Sequence, residues 1–389
     1  MFSSSEALAI CASVLLAACG GVTAATGDAG SDGASSGDAG PVVDAGPPGS
    51  PITGLTLGQW TWVDIAGAKC RDGTPTGIGV NLGSDTTRLM IFLEGGGACF
   101  NGTTCASNPS HFDSTTFAVQ FAPAEGTAGI FSRSDVQNPV KDWTMVYVPY
   151  CTGDVHAGNA TDVQVPGFPG KQQFVGYVNM DLVLGRLVPT FPFAAKLLLT
   201  GHSAGGFGAA LNYVHVARAF GSGVHVDLVD DSGPLMANPY MAACLEQSFV
   251  QLFGLTSLIA SDCGSDCTDP GNDMVAYWKH LPKTYPDRQF GFVDSAGDSV
   301  IASFFGYGAS NCTAFTPIPS ATYEAGLLDM RTQVAAYPNI GSFLFPGTSH
   351  TSLVSAYTTR SATGGDGGTV LLEQWVSALV SGTVANVGP

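Results

Sequence analysis

The hexapeptide Gly201-His202-Ser203-Ala204-Gly205-Gly206 constrains this chain more than any other stretch. It fits G-x-S-x-G, the pattern of a sharp strand-to-helix turn that holds a serine hydroxyl above the edge of a sheet. The flanks agree. Lys196-Leu197-Leu198-Leu199-Thr200 reads as a short buried strand, and Phe207 to Phe220 reads as one helix with apolar residues at Phe207, Ala210, Leu211 and Val214. The small residues around the serine have a physical task. A turn this tight brings strand and helix backbones together, and larger side chains would collide there.

Six apolar runs recur along the chain: Leu89 to Leu93, Met145 to Val148, Leu197 to Leu199, Val224 to Val229 (with His225 and Asp227 interspersed), Phe290 to Val293 and Phe343 to Phe345. Such runs suit parallel strands buried on both faces. Helical stretches are expected at Phe207 to Phe220, Tyr323 to Ala335 and Val370 to Ser381. Strands alternating with helices predict an α/β fold, a mostly parallel sheet flanked by helices with right-handed crossovers. In such sheets the working residues gather beyond the carboxyl ends of the strands. Ser203, Asp298 and His350 all follow apolar runs of this kind. The segment Asn238 to Lys283 is less regular and holds three cysteines. It reads as a disulfide-braced insertion, either a lid over the site or an inert excursion.

The N-terminal region has a different character. Ala7 to Ala18 is apolar, and Leu16-Ala17-Ala18-Cys19 resembles a bacterial lipobox, in which cleavage precedes a cysteine that carries the lipid. Residues 1–18 are therefore expected to be a signal peptide and Cys19 a lipid attachment site. The absence of Lys and Arg from Met1 to Glu6 departs from that pattern and keeps a plain secretory signal as the alternative. Residues 19–51 are rich in Gly, Ala, Ser, Asp and Pro and read as a disordered tether. Residues 52–389 form the expected catalytic domain. With 14 Lys+Arg against 31 Asp+Glu the formal charge is −17, which argues against a nucleic-acid partner. Of the ten cysteines, Cys11 and Cys19 lie in the leader region. The other eight read as four disulfides on an exported chain.

A serine hydroxyl needs a base to take its proton and a carboxylate to orient that base. α/β-Hydrolases supply these in the chain order serine, acid, histidine. Among the seven histidines, His350 sits in the small-residue loop Pro346-Gly347-Thr348-Ser349-His350-Thr351 directly after an apolar run, where such a base belongs. His215 and His225 fall inside a helix and at a strand start and read as structural. His280 sits in the irregular segment. For the acid, Asp298 and Asp294 follow the strand before the histidine, while Asp230 and Asp231 follow the strand after the serine. Those not used are expected to form turns or cap helices. The oxyanion needs backbone N–H donors. Ala204 is one expected donor, and the loop Glu94-Gly95-Gly96-Gly97-Ala98 supplies others.

At these residues the chain resembles the pectin acetylesterase/Notum family of serine carboxylesterases. Four blocks carry the likeness: FLEGGGACFNGTTC from Phe92 to Cys105, PYCTGDVHAG from Pro149 to Gly158, GHSAGG from Gly201 to Gly206, and DSAGDS from Asp294 to Ser299. The resemblance spans roughly Trp60 to Val380. It implies an α/β-hydrolase fold with Ser203 as nucleophile, Asp298 as acid and His350 as base. It implies the N–H groups of Gly96, Gly97 and Ala204 as the oxyanion hole. It also implies the disulfides Cys99–Cys105 and Cys70–Cys151. The implied activity is removal of acetyl or short acyl groups, through an acyl-serine, from a carbohydrate such as pectin, without metal or cofactor. A lipid or polyester esterase, and a non-catalytic surface binding protein on the same scaffold, are the alternatives. The expected partners are the polysaccharide-linked ester and the membrane reached through the lipid, with the chain acting as a monomer. Ala98 stands where the family usually has a bulky aromatic before the first cysteine, which implies a roomier or differently shaped pocket.

Overall fold

A computed structural model of the chain describes residues 42–43, 46, 49–268 and 273–389. The expected signal peptide, Cys19 and most of the tether lie outside the described residues. In chain order the strands are β1 (Val42–Val43), β2 (Trp60–Lys69), β3 (Pro75–Asn81), β4 (Asp85–Leu93), β5 (Trp143–Val148), β6 (Ala160–Gln164), β7 (Lys171–Phe174), β8 (Lys196–His202), β9 (His225–Asp231), β10 (Phe290–Ser295), β11 (Ile340–Phe345), β12 (Ser361–Thr363) and β13 (Thr369–Leu371). The main sheet has the order β1-β2-β3-β5-β4-β8-β9-β10-β11. Its strands from β5 to β11 run parallel and coincide with the six apolar runs. β3 is antiparallel to β2 and β5.

Residues alternate along β4, as the pleat requires. Leu89, Ile91 and Leu93 join one core, and Met90 and Phe92 join the other. The first core takes in the helices Gly176–Thr190, Ala204–Leu211, Tyr213–Phe220 and Ser320–Gln333. The second takes in the helix Leu372–Val380 and an aromatic group built from Trp60, Trp62, Phe117, Phe121 and Phe131. Each fully buried Leu, Ile or Phe contributes about 1.5–3 kcal/mol of hydrophobic stabilisation. The result is the α/β-hydrolase-like architecture: a mostly parallel sheet with helices on both faces.

One helix expectation needs correction, and two early strands carried no signal. The stretch Phe207 to Phe220 is not one helix. It is two, Ala204–Leu211 and Tyr213–Phe220, broken at buried Asn212, whose side-chain amide donates to His156 O and Gly208 O, each at 2.9 Å. The early strands β2 and β3 carry no long apolar run. Gly77 interrupts the pattern because a Cβ there would lie 2.2 Å from Val63 O, so only glycine allows the two strands to approach.

The segment read as irregular is helical over Ala243–Phe253, Thr256–Cys263 and Asp273–Thr284. Disulfides join Cys70 to Cys151, Cys99 to Cys105, Cys244 to Cys312 and Cys263 to Cys267. The Cys244–Cys312 bond ties the first helix of that segment to the chain beyond the helix Ser299–Phe305. Among the described residues, no single helix is long and apolar enough to cross a membrane.

Candidate active site

Ser203 follows the last residue of β8 and precedes the helix Ala204–Leu211. It sits at φ 56°, ψ −123°, a conformation that costs a non-glycine residue about 1–3 kcal/mol and persists only when its surroundings enforce it. They do. Its N–H donates to Asp231 O at 2.7 Å, and its carbonyl accepts from Gly206 N at 2.9 Å. A Cβ at Gly205 would meet Leu93 O at 1.9 Å, and one at Gly206 would meet Asp230 Oδ1 at 2.2 Å. The glycines of the hexapeptide are thus steric requirements of the turn.

His350 and Asp298 meet directly. His350 Nδ1 lies 2.6 Å from Asp298 Oδ2. Asp298 is fully buried, while the imidazole keeps 15% of its side-chain surface exposed. A carboxylate on Nδ1 fixes the ring's orientation and tautomer and leaves Nε2 to exchange a proton. The other oxygen, Oδ1, accepts the N–H groups of Val300 and Ile301 at 2.9 and 3.0 Å and caps the helix Ser299–Phe305. The loop before His350 is pinned to the acid's own segment. Ser295 Oγ donates to Ser349 O at 2.8 Å, and Gly297 N donates to Gly347 O at 3.0 Å. On the serine side, Thr351 Oγ1 lies 3.5 Å from His202 Nδ1.

None of the competing aspartates hydrogen-bonds His350 among the described residues, and none caps a helix. Asp294 accepts from Tyr323 Oη at 2.6 Å, and burial, then the charge of Asp298, pushes its pKa well up. Asp230 is buried against Gly206 and Gly233, with its pKa raised by burial and by Asp231. The Asp231 carboxylate accepts the N–H groups of Ser352 and Leu353. Turn formation and helix capping therefore fail to describe these three. The helix-capping aspartate is Asp298 itself.

The glycine loop follows β4 and faces the serine turn: a Cβ at Gly95 would lie 2.8 Å from Ser203 Cβ. Gly97 has φ 80°. Side chains hold the loop's carbonyls from behind. His156 Nε2 contacts Glu94 O at 2.8 Å, Asn108 Nδ2 donates to Gly96 O at 2.6 Å, and Tyr150 Oη donates to Gly97 O at 2.7 Å. Burial drops the His156 pKa to about 4, so the ring is neutral at pH 7 and its Nε2 carries the hydrogen that the carbonyl accepts. Among the described residues, no acceptor engages the N–H groups of Gly96, Gly97 or Ala204. Glu94 accepts the Tyr150 N–H at 2.7 Å, and burial lifts its pKa to about 8.

A cavity of about 350 Å³, counting its open mouth, adjoins Ser203. Its walls are apolar: Ala98, Val155, Phe207, Phe249, Ile301, Phe304 and Phe305. Phe304 packs against the glycine loop, 2.9 Å from where a Gly97 Cβ would stand. The space beside small Ala98 therefore has a phenylalanine wall. Phe249 comes from the disulfide-tied helix Ala243–Phe253, so that segment contributes to the cavity and is not an inert excursion.

His215 contacts Asp181, His225 contacts Asp227, and His280 contacts Asp266, all away from the cavity. Sequence reasoning missed the carbonyl-holding trio His156, Asn108 and Tyr150. It also missed His202, whose half-buried ring is depressed to about 3 by desolvation and by the neighbouring His350. His156 and Tyr150 lie in the block Pro149 to Gly158, which was the available signal. Among the described residues, no cluster of three or more His, Cys, Asp or Glu side chains could hold a metal ion.

The profile of the Pectinacetylesterase family matches residues 57–277. Palmitoleoyl-protein carboxylesterase notum1' of Xenopus laevis is 30% identical over 176 residues, covering 43% of this chain and 35% of its own length. Palmitoleoyl-protein carboxylesterase NOTUM of Homo sapiens is 32% identical over 153 residues, covering 38% of this chain and 30% of its own. The chain thus spans about a third of the length of the curated relatives it matches. The solved structure of the Wnt deacylase Notum from Drosophila superposes with a TM-score of 0.59 at 18% identity, covering 85% of this chain and 96% of that one.

Proposed function

The chain belongs to the pectinacetylesterase family, and from that premise we propose that it is an exported serine carboxylesterase acting on O-acetyl or other short acyl esters of a carbohydrate such as pectin. The observation that carries this reading is the 2.6 Å contact between His350 Nδ1 and buried Asp298; Thr351, next to the histidine, lies 3.5 Å from His202, next to a serine held at positive φ. In this mechanism His350 Nε2 takes the Ser203 proton as Oγ attacks the ester carbonyl. The N–H groups of Gly96, Gly97 and Ala204 receive the oxyanion, a role favoured by the three side chains that turn the loop carbonyls away. Collapse breaks the ester C–O bond, and His350 returns its proton to the leaving alcohol. Water, deprotonated by His350, then attacks the acyl-serine, releasing the acid and restoring the hydroxyl.

Residues 52–389 form the catalytic domain in this reading. Residues 1–18 direct export, Cys19 carries a lipid, and residues 19–51 tether the domain to the membrane. Four disulfides suit an oxidising compartment. The test is hydrolysis of p-nitrophenyl acetate by the wild type and by Ser203→Ala. A loss of about 10³-fold or more is expected, and equal rates would end the proposal. A non-catalytic binding protein would leave Ser203 unlabelled by a fluorophosphonate probe, whereas an activated serine labels.

The phenylalanine-lined cavity supports a second reading, an esterase for longer apolar acyl groups on lipid or polyester. Higher kcat/KM on eight-carbon than on two-carbon p-nitrophenyl esters would favour it.

A further inference from the structure

We propose that Asp231 is a positioning residue that sets the distance between the nucleophile's backbone and the loop carrying the base. The inference rests on the reading of Ser203 as nucleophile and His350 as base, and it adds a residue that this reading leaves unused.

Asp231 is the last residue of β9 and is fully buried. Its main-chain carbonyl accepts the Ser203 N–H at 2.7 Å. Its side chain reaches the other partner. Oδ2 accepts the N–H of Ser352 at 2.8 Å and of Leu353 at 2.7 Å, two and three residues beyond His350. Oδ1 accepts the Ser232 hydroxyl at 3.0 Å. One residue therefore grips the serine through its backbone and the histidine loop through its carboxylate. The other end of that loop is held by Ser295, Gly297 and Ser299, all in the acid's segment. The upstream ties set the histidine against Asp298, and the Asp231 carboxylate sets it against Ser203. Removing that carboxylate leaves the contact between His350 and Asp298 intact and loosens the link to the serine.

Charge acts in the same direction. Burial raises the Asp231 pKa, with Asp230 and Asp294 also on the unfavourable side, while the N–H groups of Leu353 and Ser352, the charge of His350 and nearby Arg360 favour its ionised form. Arg360 Nε donates to Ser352 Oγ at 3.1 Å, so the cation rests on the same turn. A buried negative charge near the imidazole favours the protonated ring that forms when the serine proton transfers.

The test compares Asp231→Ala and Asp231→Asn with the wild type in the full chain, using p-nitrophenyl acetate kinetics across pH and thermal denaturation. Asp231→Ala is expected to lower kcat about 100-fold with KM nearly unchanged, the cost of a misplaced catalytic group. Asp231→Asn keeps an oxygen for both N–H groups but loses the charge. Its expected loss is smaller, about tenfold, and the acid limb of kcat/KM moves to lower pH, because the protonated ring has lost a favourable neighbour. A residue that only supports the fold would not move that limb. Should Asp231→Ala fail to fold, Asp231→Asn decides. Wild-type kcat with an unmoved acid limb in folded Asp231→Asn overturns the proposal, as does wild-type kcat in folded Asp231→Ala. Ser203→Ala keeps the two claims apart. If it stays active, the nucleophile reading fails. If it is inactive while the Asp231 variants are unaffected, only the positioning role falls.

Discussion

Asp298 uses its two oxygens differently, one on the imidazole and one on the first turn of a helix. The two uses can be separated. Asparagine caps helices about as well as aspartate, but its amide offers His350 no charge and favours the wrong tautomer. Asp298→Asn should therefore keep the melting temperature of the wild type and lose about 10³–10⁴-fold in kcat. Thermal melts beside p-nitrophenyl acetate kinetics check both halves, and a variant that melts early but turns over normally would reverse the assignment. This is also where the sequence stopped being legible. Asp294 and Asp298 both follow the same apolar run, Phe290 to Val293, and spacing cannot tell which faces the histidine. Nor can it reveal Asp231, because the partners of its carboxylate are backbone amides about 120 residues away, which every residue except proline carries. His156, Asn108 and Tyr150 were hidden for the same reason: each holds a main-chain carbonyl.

At the scale of elements, the six parallel strands were readable because burial on both faces favours apolar runs, broken only in β9 by His225 and Asp227. The early antiparallel pair was not, since Gly77 and Gly79 break the run to admit Val63 O and the Phe117 ring. The helix break was also unreadable, as it depends on Asn212 finding the carbonyl of His156. The Cys244–Cys312 pair has consequences at this scale. It closes a loop with a sequence separation of 68 and holds the helix that bears Phe249. Loop-closure entropy puts its stabilisation at about 4 kcal/mol as an upper figure. In a Cys244→Ser/Cys312→Ser double variant, a lower melting temperature is expected. KM should rise for longer acyl esters, while fluorophosphonate labelling of Ser203 persists. An unchanged KM across chain lengths would show that this helix plays no part in holding the acyl group.

Across the whole molecule, buried titratable groups oppose one another in pH. His156 and His202 are held neutral, at about 4 and about 3 against an ordinary 6.5, so stability rises with pH until roughly 6.5. Burial raises Glu94 from an ordinary 4.5 to about 8 and Asp154 from 3.8 to about 6, so the stability tied to each proton falls as pH climbs from the ordinary value to the raised one. Above about 6.5 the histidine contribution is complete and Glu94 still titrates. The melting temperature should therefore decline between about pH 6.5 and 8, and less steeply in Glu94→Gln. Melts that stay level there in the wild type would contradict the burial of that carboxyl. The placement of the phenylalanines has a practical consequence of its own. Phe304 and Phe305 ride on the helix that starts at Asp298, whereas Phe249 arrives on a separate, cystine-latched arm. Tailoring the proposed esterase toward bulkier esters should begin at position 249. There a library can remodel the wall without disturbing proton transfer, whereas the same changes at 304 or 305 would be felt at the acid.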